Sequence, residues 1–143
     1  MAGVFVDAGL GANLTAWLTG LGSLTIKLAK NNVTITRATV IGDLTEANFS
    51  GYASQSVGAW GAPVYDAANH RYSSTAPTNT WTNSTGVVGN TIYAVYVVDS
   101  SGNLIFVEAA RDSSGNPIDM TIAGRVYGYT PVVDDSSRAS VSP

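Results

Sequence analysis

His70 is the only histidine in the chain, so any Ser-His-Asp arrangement would have to use it as the base. It stands between Asn69 and Arg71 in an expected hairpin loop, and the chain contains no G-x-S-x-G elbow. It reads as a solvated loop histidine. Zinc in a structural site takes about four Cys or His ligands, and this chain offers one histidine and no cysteine. Neither catalytic residues, a metal site nor a cofactor is expected.

Two pentapeptides, Asp99–Asn103 and Asp112–Asn116, share the sequence DSSGN. The Asp and Asn positions invite a calcium reading. An EF-hand loop, however, needs oxygen ligands at alternating positions and a closing bidentate Glu, and here Ser fills the intermediate positions. An aspartate that opens a turn, with glycine in the left-handed position, accounts for the pattern more simply. A glycosidase would need two carboxylates facing across a cleft, yet most of the ten acids fall in turns. Glu108 is the exception, inside an apolar run on the face of Phe106 and Ala110. It is expected to pair with Arg111 or Arg125, or to mark a sheet edge that discourages further pairing. Trp60, Tyr65, Tyr72 and Trp81 lie in or near loops, where exposed aromatics could form a sugar platform or serve as ordinary core.

At 143 residues the chain is one domain by length. Charged residues make up only 12% of it and the net charge is −3, a sparse dress for a lone monomer. Either hydroxyls and amides keep the surface wet or partners cover much of it, and the second reading is favoured. The seven Lys and Arg residues are scattered, which argues against nucleic acid, whose phosphates are bound mainly by clustered cations. The apolar start MAGVFVDAGLGANL has no basic stretch before Asp7 and so does not read as a secretion signal. No run approaches the ~18 apolar residues of a membrane helix.

These residues are positioned by short strands. Val4–Val6 is extended. Asn13 is a candidate cap for a brief helix over residues 14–19, with Leu14, Trp17 and Leu18 on one face and a stop at Gly20. That segment is either an arm that orders on contact or a helix plugging one end of a sandwich. Leu24, Ile26 and Leu28 alternate with Thr25, Lys27 and Ala29, which predicts a half-buried strand. A further short strand is expected over residues 33–36, a capped helical turn over 45–48 and a strand over 54–60. Residues 63–66 and 72–75 predict a hairpin, and residues 78–82 a short strand. Residues 91–98 are apolar on both faces, as in a central strand. The two DSSGN turns bracket residues 104–110 and predict an antiparallel meander that continues through 117–123 and 125–133. The fold class is all-β, an antiparallel β-sandwich or jelly roll with a short N-terminal arm or helix. The expected organisation is an arm over residues 1–22, a β domain over 23–133 and a flexible tail over 134–143.

The stretch LTIKLAKNNVTITRATVIGDLTEANFSGYASQSVGAW, residues 24–60, resembles a group of small virion proteins of tailed bacteriophages. The carriers are Leu28-x-x-Asn31-Asn32, the run from Asp43 to Tyr52 and the following Trp60. Residues 92–98, Gly102–Leu104 and Glu108 are similar to the second half of the same group. This resemblance implies a capsid decoration (cement) protein, non-enzymatic, on the outer surface of the virion and often trimeric. The implied partners are the major capsid protein and two further copies of the chain, with no nucleic acid and no membrane. On that reading Leu14, Trp17, Leu18, Phe49 and Tyr52 are expected at subunit or capsid contacts. The competing expectation is a carbohydrate- or receptor-binding module of a tail fibre or spike.

Overall fold

The structure, a computed structural model, describes residues 7–134. The expected strand Val4–Val6 and all of the expected tail beyond Asp134 lie outside them. Strand outweighs helix, 35% against 10%, and each ladder among the described residues is antiparallel. The chain is all-β with one N-terminal helix. It forms two compact units, one from residues 7–22, Gly58–Thr78 and 130–134, the other from Ser23–Val57 and Asn79–Tyr129.

In the first unit, helix α1 (Asp7–Gly20) packs on a three-stranded sheet. The strands are β3 (Val64–Asp66), β4 (Arg71–Thr75) and β11 (Val132–Asp134), in the order β11-β4-β3. The hairpin β3–β4 is the one the sequence predicts. The helix begins well before Asn13, which is an interior residue of it and no cap. Gly9 and Gly11 disfavour helix, but Gly11 lies against the Tyr72 ring, where a Cβ would stand 3.0 Å from Cε1. Close packing on β4 therefore outweighs local propensity. The helix ends at Gly20, and Gly22, at φ +67°, takes the left-handed conformation of a C-terminal cap.

The second unit is built on a four-stranded sheet in the order β2-β1-β7-β8. Its strands are β1 (Thr25–Ala29), β2 (Gln55–Ser56), β7 (Ala94–Val98) and β8 (Leu104–Ala109). Strand β7 is buried at all five positions, the central strand that the two-faced apolar pattern predicts. On one face lie Ile26, Leu28, Val95 and Val97, all fully buried. Val33, Ile35 and Leu44 cover Ala29, Ala94, Tyr96 and Val98 on the other. Residues 33–36 form no strand. Their stretch is an irregular cover pinned by Asn31, whose side chain donates to the Asp43 carbonyl (2.8 Å) and accepts from the Thr45 N–H (2.7 Å). Residues 45–48 likewise form no helical turn. They run extended beside β1, with a bridge between Ala29 and Glu46 and Ala47 N–H donating to the Leu28 carbonyl at 2.8 Å.

Two further pairs complete this unit: β5 (Asn79–Thr82) with β10 (Val126–Tyr129), and β6 (Asn90–Ile92) with β9 (Ile118–Met120). The register corrects the expected meander. Strand β8 pairs with β7 and β9 pairs with β6, while β6 and β7 are consecutive pieces of one run. The chain from β8 to β9 therefore keeps its direction. The first DSSGN reverses the chain between β7 and β8, whereas the second is an excursion from a strand that then resumes.

Candidate functional site

Leu14, Leu18 and Phe49, three of the residues expected at contacts, are buried, at 0%, 6% and 2% exposure. Trp17 and Tyr52 are half-buried. Phe49 meets Tyr52 edge to face, ring centroids 5.3 Å apart. The Tyr52 hydroxyl donates to Glu46 Oε1 (3.0 Å) and accepts from the Leu28 N–H (3.2 Å). Burial pushes its ionisation well above the ordinary tyrosine range. Glu46 also pairs with Lys27 at 3.1 Å. Asn48 Oδ1 accepts from Lys30 Nζ at 2.9 Å, and Asn48 N–H donates to Asn90 Oδ1 at 2.7 Å. The run from Asp43 to Tyr52 is thus a structural strap whose polar side chains tie it to β1 and β6.

The groups singled out for chemistry are occupied structurally. His70 is exposed in the β3–β4 turn at φ +50°, with Nδ1 3.3 Å from the Tyr65 hydroxyl. Glu108 is paired with neither Arg111 nor Arg125. Tyr129 Oη donates to it, Arg111 donates to the Tyr93 and Ala110 carbonyls, and Arg125 pairs with Asp119. The two DSSGN loops make the same bonds to their backbones: the Oδ1 of Asp99 accepts from Ser101 and Asn103 N–H, and that of Asp112 from Ser114 and Asn116 N–H. Gly102 and Gly115 sit at φ +83° and +82°. The hydrogen bond from the Asn103 side chain, above all, holds the Asp99 carboxyl below its usual range. Trp81 is buried, donates to the Ala53 carbonyl at 2.9 Å and stacks on Tyr127. Among the described residues no group of three or more His, Cys, Asp or Glu could hold a metal ion, and no helix is long and apolar enough to cross a membrane.

What the sequence reading missed is a tip of the second unit. Two loops, residues 83–89 and 121–125, press backbone to backbone. A Cβ on Gly86 would stand 2.8 Å from Ala123 N, and one on Gly89 2.5 Å from Thr121 Cα. Asn83, fully buried, fastens them: Nδ2 donates to the Val88 (3.2 Å) and Met120 (2.8 Å) carbonyls and Oδ1 accepts from Gly86 N–H (2.8 Å). Asn83 N–H and its carbonyl also bond Arg125 and Gly124. Around this buttress four aliphatic side chains face water: Val87 (84% exposed), Val126 (60%), Ile122 (52%) and Val88 (42%). Burying one such side chain is worth about 1.5–3 kcal/mol. A loop reading Gly-Val-Val-Gly was the sequence signal, since apolar residues between glycines in a turn serve no strand. The arrangement suits adhesion to an apolar partner, with loop entropy already spent in folding.

No family model, curated protein or solved structure matches this chain.

Proposed function

We propose that the protein is a non-enzymatic structural component of a tailed-bacteriophage virion, a homotrimer that decorates the outer capsid surface and bridges major capsid protein subunits. The observation that carries this reading is the buttressed apolar tip of Val87, Val88, Ile122 and Val126 on a chain that is only 12% charged. The resemblance of residues 24–60 to phage decoration proteins points the same way. A protein that engages several subunits at once multiplies modest contacts through effective concentration, by about 10²–10⁴. A rigid β scaffold with pre-formed apolar contacts fits that task better than a polar cleft.

The test is light scattering and co-sedimentation of the purified protein with and without purified tailed-phage heads. The expected result is a trimer that sediments with heads and raises their melting temperature. Val87→Asp with Ile122→Asp, both at exposed positions, is expected to abolish co-sedimentation while leaving the circular dichroism spectrum unchanged. Undiminished head binding by the folded double variant would overturn the tip as the contact. Failure of the parent protein to bind any head would overturn the function.

A further inference from the structure

The first unit contains a cleft of about 300 Å³ between α1 and the segment leading into β3. Thr15, Leu18 and Thr19 form one wall and Trp60, Ala62 and Pro63 the other. We propose that this cleft is a binding site for a neutral saccharide ring stacked on Trp60, a capacity separate from the capsid role.

Three features select that ligand. The volume lies at the small end of the ~300–1,000 Å³ range of small-molecule sites, enough for one or two rings. Among the described residues no charged side chain lines the cleft, so an ionic ligand would surrender hydration without gaining a partner. The lining joins an aromatic wall to a hydroxyl rim. Trp60 is half-buried, and Thr15 and Thr19 are exposed. A pyranose has matching halves, with a C–H face for the indole and equatorial hydroxyls for the threonines. Thr15 Oγ1 donates to the Gly11 carbonyl at 3.2 Å, which leaves its lone pairs to accept.

The walls are set in advance. Gly61, next to Trp60, donates its N–H to the Thr75 carbonyl (2.9 Å) and accepts from Ser74 Oγ at its carbonyl (2.7 Å). Leu18, in the α1 wall, is buried. A ligand therefore does not have to order a loop, which conserves affinity. Of the two tryptophans considered for sugar stacking, Trp81 is enclosed and Trp60 borders this cleft.

The experiment titrates glucose, galactose, mannose and N-acetylglucosamine into the ¹⁵N-labelled full chain and follows the indole N–H resonances. A saturable shift of the Trp60 indole is expected with at least one sugar, at a Kd on the order of millimolar. Thr19→Arg, which fills the mouth of the cleft from an exposed position, is expected to weaken binding at least tenfold while leaving the rest of the spectrum in place, and Trp60→Ala is expected to abolish it. The site is overturned if no sugar moves the Trp60 indole, if Thr19→Arg binds as the parent does, or if inorganic phosphate produces the larger shift. Because Val87→Asp/Ile122→Asp leaves this cleft intact, its sugar titration is expected to match that of the parent whatever the outcome with phage heads.

Discussion

Asn83 shows how one side chain can set the geometry of a surface it never reaches. Its amide satisfies the Val88 and Met120 carbonyls and the Gly86 N–H inside the protein. Asn83→Ala removes all three bonds and takes the acceptor from the Gly86 N–H, while the Val88 carbonyl keeps the Ser50 N–H at 2.9 Å, and leaving a buried polar group unpaired costs about 1–3 kcal/mol. The expected loss in urea denaturation is about 2–3 kcal/mol. Asn83→Asp is expected to be no milder, since it aims a carboxylate at two carbonyl oxygens. A variant of either kind with unchanged stability would show that the tip is held some other way. The glycines give a paired contrast. Gly89→Ala drives a Cβ to 2.5 Å from Thr121 Cα and is expected to cost about 1–3 kcal/mol. Gly20→Ala meets nothing within 4 Å and is expected to gain about 0.5 kcal/mol. Thermal melts of the two single variants check both signs.

At the level of elements, identical pentapeptides fold identically and yet serve different connections. The Asp99 loop closes a hairpin, while the Asp112 loop leaves and rejoins a strand path along β7 and β6. Hydrogen exchange separates the elements. The amides of Ala94–Val98, buried and paired on both sides, are expected to be the slowest in the second unit. Those of residues 33–35, which cover the sheet without strand pairing, are expected to exchange early. Slow exchange across residues 33–35 would mean that this cover is a strand in solution.

Four of the seven tyrosines couple the whole molecule to alkaline pH. Burial pushes Tyr96 and Tyr127 up to about 12, and Tyr52 and Tyr129 higher still. In the unfolded chain a tyrosine ionises near ~10. The folded state therefore favours the neutral phenol, and this contribution to stability is complete below pH ~10 and lost as pH rises through the folded values. An alkaline titration followed by phenolate absorbance should show these four phenols ionising only above pH ~10, together with loss of the circular dichroism signal. Ionisation of these four near ~10 with the fold intact would refute it.

Features that rest on neighbours in the chain were legible in the residues: the alternation of β1, the two-faced apolar run of β7, the β3–β4 hairpin and the turns of both DSSGN loops. Periodicity and turn chemistry are local, and so they could be read in order. Features that depend on residues far apart were set by the folded chain. It extended α1 through two glycines by packing it on Tyr72, straightened residues 45–48 beside β1 and gave Glu108 to Tyr129 instead of an arginine. It also enclosed Trp81 while leaving Trp60 on a cleft, and brought residues 83–89 against 121–125 to raise the apolar tip. Each of these turns on a contact between distant segments, whose burial and hydrogen bonding outweigh the fraction of a kilocalorie per residue that local propensity supplies.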